Sequence, residues 1–306
     1  MTRKMLYVLI LVLLAGLTAW LVSSPVALAE WPAYAPVTLD HAEVEPLPMD
    51  QKPPYAGAES AYLENGSGYL DPTLSVRIEK MHEYDTDIYI TWVQIADPTQ
   101  LRTELNKPYP SKTVAYAEQI ARRVKAVLAI NGDYFIDRKE GWIVRNGKVL
   151  RTYYYKGFDA LLIDREGNFH IVREPDEEKL SAYDGQILHA FSFGPGLIID
   201  GVRQSEFTAK TMSPAKRTQR MVLCQMEPLS YMILTAEGPE QKNSEGLTLE
   251  MTADILERMG VQQAYNLDGG SSTWLVLNGH KVNAPSKKRG IADIVYFVTA
   301  QPEEAQ

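Results

Sequence analysis

The chain has 306 residues, 45% apolar and 23% charged, a folded globular composition that excludes a collagen, a coiled coil or disorder throughout. Lys+Arg number 31 against 39 Asp+Glu, a net charge of −8 without a long basic run, which argues against nucleic acid as a partner. The single cysteine, Cys224, excludes an intrachain disulfide and a thiolate zinc cluster.

At the start, Arg3 and Lys4 precede an uncharged run from Met5 to Val22, and Ala27-Leu28-Ala29 follows it. A positive start, an apolar stretch and a small-x-small site make a secretory signal, while 18 apolar residues also just suffice to cross a bilayer. Residues 1–29 are therefore expected to be a signal peptide cleaved after Ala29 or an uncleaved anchor. Either way the rest is expected outside the cytoplasm, with membrane contact only through this segment. Its removal takes Arg3 and Lys4 and no acid, so the net charge goes from −8 to −10. Export without a disulfide points to a bacterial chain.

Residues 30–65 carry Pro32, Pro36, Pro46, Pro48, Pro53 and Pro54 and little periodicity, which predicts a linker or a surface strap. Thr73–His82 and Thr86–Ala96 alternate and are rich in Val, Ile, Tyr and Thr, as strands are. Ser111–Val124 has helical spacing with Ser111 as N-cap, and Ala126–Ile130 is a short buried strand. Asn146-Gly147 and Asn278-Gly279 are hairpin turns. Leu161–Asp164 and Asn168–Val172 form a further strand pair. Phe193-Gly194-Pro195-Gly196 is a turn into the strand Leu197–Ile199. Met221–Met226 pairs with Ser230–Thr235 and holds Cys224, expected to be a buried structural thiol. Thr248–Met259 is a second helix with Leu249, Ala253, Leu256 and Met259 on one face and Gly260 beyond its end. Gln262–Tyr265 and Ile291–Val298 complete the strands. Many hairpins, two good helices and no repeated βαβ order predict an α+β single domain over 66–300, with a mixed, largely antiparallel sheet and a tail at 301–306.

Three motifs carry chemistry. Asn131-Gly132-Asp133-Tyr134-Phe135 places a carboxylate directly after a buried strand, where sites tend to lie. Asn266-Leu267-Asp268-Gly269-Gly270-Ser271-Ser272-Thr273 follows the second helix, and its glycines allow backbone N–H groups to cradle an anion. Gly246-Leu247-Thr248-Leu249-Glu250 opens that helix, so Glu250 is expected to face the Asp268 cleft. Arg217-Thr218 and Arg289 each precede a strand, and a guanidinium matches phosphate bidentately. The chain has no nucleophile elbow, no His-Glu-x-x-His and no P-loop, and its five histidines are scattered. A Ca²⁺ or Mg²⁺ held between Asp133 and Asp268 is compatible with the residues but not demanded by them.

With Phe193-Gly194-Pro195-Gly196-Leu197, Asn283-Ala284-Pro285-Ser286 and the late Arg289 in the same order, these motifs make residues 125–298 resemble the phosphodiester glycosidase family. The resemblance implies hydrolysis of a sugar-1-phosphodiester in a cell-envelope or extracellular glycan, releasing the sugar and a phosphomonoester, with no required cofactor. It implies Asp268, Glu250 and Asp133 as the catalytic carboxylates. It makes Asn131, Arg217, Thr218, Gly269, Gly270, Ser271 and Arg289 the substrate-binding set. The chain departs from the family pattern after Arg217-Thr218, where Gln219-Arg220-Met221 replaces a small apolar stretch ending in glycine. Two other functions fit the same residues: a non-catalytic glycan-binding protein of the cell envelope, and a metal-assisted phosphodiesterase that breaks P–O rather than C–O.

Overall fold

A computed structural model describes residues 32–37, 39, 44–153, 157–207, 213–284 and 289–302. The expected export segment, 1–29, lies outside the described residues, and among these no helix is long and apolar enough to cross a membrane.

The strands are β1 (Gly68–Leu70), β2 (Leu74–Glu83), β3 (Thr86–Ile95), β4 (Leu101–Leu105), β5 (Leu128–Asn131) and β6 (Gly141–Arg145). Next come β7 (Lys148–Tyr153), β8 (Ala160–Asp164), β9 (Phe169–Val172), β10 (Ile187–Phe191), β11 (Gly196–Ile199) and β12 (Val202–Arg203). The last are β13 (Arg220–Glu227), β14 (Ser230–Ala236), β15 (Gln263–Asn266), β16 (Leu275–Leu277), β17 (His280–Lys281) and β18 (Asp293–Phe297). Among the described residues three α-helices intervene: α1 (Ala117–Arg123), α2 (Glu177–Ser181) and α3 (Leu249–Arg258).

Local chemistry explains most of these boundaries. Asn146-Gly147 and Asn278-Gly279 turn with both residues at positive φ, the two-residue geometry that suits twisted hairpin strands. Tyr84-Asp85 does the same between β2 and β3 without a glycine (φ 52° and 51°). Thr248 caps α3 through its hydroxyl, 3.1 Å from the Met251 N–H, and Gly260 leaves the helix at φ 72°. The expected first helix is shorter than its spacing suggests. Ser111 bonds Thr113, and Ala115 pairs with Ile291 as an isolated bridge, so this stretch is extended and α1 begins at Ala117.

The strands form three sheets, ordered β1-β2-β3-β14-β13-β15-β11-β12, β7-β6-β10-β8-β9 and β17-β16-β5-β18-β4. The fold is α+β, and every pairing among the described strands is antiparallel, so the mixed character expected of the sheet is absent from them. One apolar core takes side chains from all three sheets, among them Val93, Ile130, Leu161, Leu223, Ile233 and Phe297. Ile120 and Ala121 of α1 pack with Ala129 and Tyr296 on the outer side of the third sheet. Cys224 is fully buried in β13, and burial pushes its thiol up, away from the reactive thiolate.

The described part of 33–53 packs along the sheets as a strap. Tyr34 packs on Trp92 with ring centroids 5.4 Å apart, and Leu39 and Leu47 are buried. The buried Arg102 guanidinium donates to the Pro48 and Gln51 carbonyls at 2.8 and 2.7 Å.

The topology brings several strand ends together. β5 ends at Asn131, β15 runs into Asp268, β10 runs into Ser192, β6 ends at Arg145 and β18 begins at Asp293. Each of the three sheets thus contributes to one place.

Candidate active site

A cavity of about 280 Å³ opens at that place, with Asn131, Gly132, Tyr134, Asp268, Arg289 and Asp293 in its wall. Asn131 ties two motifs together. Its amide donates to the Asp268 carbonyl at 2.8 Å, and its Oδ1 accepts the Trp274 N–H at 3.0 Å. Both amide dipoles are spent on the fold, so Asn131 positions the Asp268 loop.

The Asp268 carboxylate accepts the N–H of Gly269 at 3.0 Å. Burial raises its pKa to about 6, against the lowering effects of the Ser272 hydroxyl, Arg289, the Gly269 N–H and Arg138. A carboxylate near neutrality at a cavity wall is what acid–base or charge-stabilising chemistry uses. In the same cavity the Arg289 guanidinium lies 4.6 Å from the centroid of the Tyr134 ring. Tyr134 itself has φ 59°, rare for an aromatic residue, and its hydroxyl bonds Asp137. Trp274 Nε1 donates to the Arg289 carbonyl at 3.0 Å, fixing the backbone that carries the guanidinium.

Asp133 does not line the cavity. It is 1% exposed, and both its oxygens are occupied: Oδ1 by Arg145 Nη2 at 2.8 Å and Oδ2 by the Ser192 N–H at 2.9 Å. Arg145 also reaches Asp293 Oδ2, through Nε at 3.1 Å and Nη2 at 2.9 Å, and caps the Ala190 carbonyl. One buried guanidinium thus bridges two buried carboxylates, and the one at the cavity wall is Asp293. Behind it, Gly132 has no room for a side chain, since a Cβ there would fall well inside contact with the Asp293 carboxylate. Asp133 is engaged by Arg145 and the Ser192 N–H, and among the described residues no three His, Cys, Asp or Glu side chains gather as metal ligands.

Glu250 is placed elsewhere. Its side chain is 54% exposed on α3 and pairs with Arg203, which also holds Asp254 at 2.8 Å. The expectation that it faces the Asp268 cleft is corrected: the buried stripe of α3 turns Glu250 outward. Arg217 is likewise spent on structure. It pairs with Glu245 at 2.8 Å and donates to the carbonyls of Gly246 (2.8 Å) and Tyr84. Thr218 bridges Leu247 and donates to Gln219 Oε1 at 3.1 Å.

The glycine loop forms no anion cradle at Gly269 and Gly270. The Gly269 N–H goes to Asp268, and the Gly270 N–H goes to the Gln219 carbonyl at 3.1 Å. The glycines serve packing instead: a Cβ on Gly269 would sit 2.6 Å from the Gln219 carbonyl oxygen, and Gly270 has φ 59°. Ser271 is part of the 3₁₀ turn Gly270–Ser272 and does not line the cavity.

Arg145, Asp293 and Arg138 are site residues that lie outside the motifs, and Tyr134 stands in the first motif without a role assigned to it there. Arg138 lies 4.5 and 4.4 Å from the rings of Phe158 and Phe193 and donates to the Ser192 carbonyl at 2.9 Å. A signal was present for two of them. Arg145 ends the apolar run Trp142-Ile143-Val144, and Asp293 stands within the apolar strand Ile291–Val298. A lone charge in a buried strand needs a partner of opposite sign.

Residues 124–298, more than half of the 306-residue chain, match the sequence model of the phosphodiester glycosidase family. The fold resembles the catalytic domain of zebrafish N-acetylglucosamine-1-phosphodiester alpha-N-acetylglucosaminidase auto-inhibited by its pro-peptide. That similarity has a TM-score of 0.62 and 18% identity over 80% of this chain and 87% of that one. A hypothetical protein from Synechocystis is similar at a TM-score of 0.60 and 16% identity, over 74% of this chain and 62% of that one. No curated protein matches the sequence. By its sequence match, the chain belongs to the phosphodiester glycosidase family of hydrolytic enzymes.

Proposed function

We propose that the protein cleaves the C1–O bond of a sugar-1-phosphodiester in an extracellular or cell-envelope glycan, releasing the sugar and a phosphomonoester. The observation that carries this reading is the pairing, in one cavity, of the Asp268 carboxylate with the Tyr134-backed guanidinium of Arg289. A departing phosphomonoester is a weak base and needs little help from an acid. The demand falls on the sugar, where positive charge develops at C1, and a carboxylate beside it stabilises that charge. Asp268 is ionised above about pH 6 and fits this role. Arg289 supplies a fixed cation for the phosphate.

The test uses a panel of sugar-1-phosphodiesters hydrolysed in ¹⁸O-water. Label in the released sugar is expected. Label in the phosphate would instead show P–O cleavage, and no turnover of any diester would favour a glycan-binding role.

The exposed position of Glu250 makes a second forecast. Glu250→Gln is expected to keep kcat within about twofold of wild type, because an exposed ion pair contributes little and the residue does not reach the cavity. A fall of ~10²-fold in steady-state kcat would restore it to the chemistry.

Action outside the cytoplasm is part of the proposal and rests on Arg3-Lys4, the apolar run and Ala27-Leu28-Ala29. N-terminal sequencing of the exported protein is expected to begin at Glu30 if the segment is cleaved or at Met1 if it is an anchor, and recovery of the protein only from the cytosol would refute it.

A further inference from the structure

Arg145 offers one positive charge to two buried carboxylates. The three groups together carry a net −1 in a dry environment unless one carboxyl keeps its proton, and burying an uncompensated charge is costly. The hydrogen bonds show which one keeps it. Asp133 accepts on both oxygens, from Arg145 and from the Ser192 N–H, as an ionised carboxylate does. Asp293 accepts two Arg145 N–H groups on Oδ2 alone. Among the described residues no donor reaches its Oδ1, and the residue lines the cavity.

We propose that Asp293 stands in the cavity wall as a neutral carboxylic acid whose Oδ1–H donates to an anionic oxygen of the ligand. This rests on the reading above, in which that oxygen belongs to the substrate's phosphodiester. Asp268 and Asp293 then divide the work: the ionised carboxylate faces the sugar, and the protonated one faces the phosphate.

The surroundings agree. Burial raises the Asp293 pKa first of all. Arg145 of β6 opposes that effect, and the nearby charges of Asp133 and Asp268 add to it. The other groups near this corner are Lys112 on the loop after β4, Tyr134 on the loop after β5, Asp137 and Arg138 beyond it, Arg289 on the loop before β18, and His189 of β10, whose pKa Arg145 also affects. Burial lowers the His189 pKa to about 3, so it stays neutral. Tyr134 is raised, first by its bond to Asp137. Neither titrates near neutrality, which leaves the two aspartates to respond there.

Two measurements test this, and neither depends on turnover. Infrared spectra of the purified protein at near-neutral pH are expected to show the carbonyl stretch of a protonated carboxylic acid. That band should vanish in Asp293→Asn, and in Asp133→Asn, which leaves Arg145 to Asp293 alone, it should fade at lower pH than in wild type. The second measurement is the affinity for inorganic sulfate, whose charge is constant across the range. In wild type it should weaken in two steps on the way to alkaline pH, by about tenfold or more in the second, as Asp293 ionises beside the anion. Asp293→Asn, a neutral isostere that can still donate, should keep only the Asp268 step. Should Asp293→Asn fail to fold, Asp133→Asn still decides: it leaves Arg145 to Asp293 alone, so the second step should move to lower pH. Survival of the band in Asp293→Asn, a band in Asp133→Asn that fades at the same pH as in wild type, or two unchanged steps in Asp293→Asn would overturn the proposal. If the band and the second step behave as stated while no diester is hydrolysed, the neutral acid stands and the substrate reading fails.

Discussion

Asp268→Asn is expected to abolish most turnover while raising the melting temperature at alkaline pH. The carboxyl has an ordinary pKa of 3.8 and is raised to about 6 in the folded chain, chiefly by burial. Between those values the folded state binds more protons than the unfolded one, so stability falls as pH rises through this window. Above about pH 6 the full cost is present, on the order of 2–3 kcal/mol for a shift of this size. The amide isostere carries no charge and escapes it. The melting temperature of the variant at about pH 8 should exceed that of wild type by roughly 5–10 °C, and the advantage should disappear near pH 4. Loss of a positioned carboxylate should lower kcat by ~10²-fold or more. Calorimetry and kinetics on one preparation decide the matter. A variant that melts lower and turns over normally would make Asp268 a structural residue only.

Arg145→Met is expected to be the most destabilising single change near the site. The guanidinium is 4% exposed and serves Asp133, Asp293 and the Ala190 carbonyl at once. Methionine fills much of the same volume but leaves two carboxyls without their donor. Removing one partner of a buried charge cluster typically costs ~3–5 kcal/mol. The loss should be larger at about pH 8 than at about pH 5, because protonation relieves the stranded carboxylates as pH falls. Thermal melts at the two pH values check both the size and the slope. A loss under ~1 kcal/mol with no pH dependence would mean that the bridge contributes little.

Much of the fold is legible in the sequence because its signals are local. Alternation marks β2 and β3, Asn-Gly pairs mark two hairpins, and the Leu249-Ala253-Leu256 stripe marks the buried face of α3. The same periodicity also holds the correct place of Glu250. With Asp254 and Glu257 it falls on the i, i+4, i+7 row about 100° round the helix from that stripe, and all three acids gather on Arg203. Closeness in sequence to the Asp268 loop is the weaker guide. Arg217 and the glycine loop depart from expectation for another reason. Arginine and backbone N–H groups are common anion ligands, but sequence does not show which carbonyls already hold them. Asp133 is visible as a motif residue, whereas its burial depends on Arg145 and Ser192, both from other parts of the chain. The Arg145–Asp293 bridge spans 148 positions, beyond anything spacing can reveal.

Gly132 and Asp293 have an evolutionary consequence. The carboxylate occupies the space that a side chain at 132 would need, so the two positions share one volume. A single change at 132 meets the carboxylate, and shortening residue 293 alone leaves a void and an Arg145 donor without its acceptor. Neutral drift at either position is therefore blocked by the other. Exploration of this corner must proceed by paired substitution, with Arg145 constraining which pairs survive. In a mutational library scored for folding alone, changes of side-chain size at the two sites should be tolerated together and not apart.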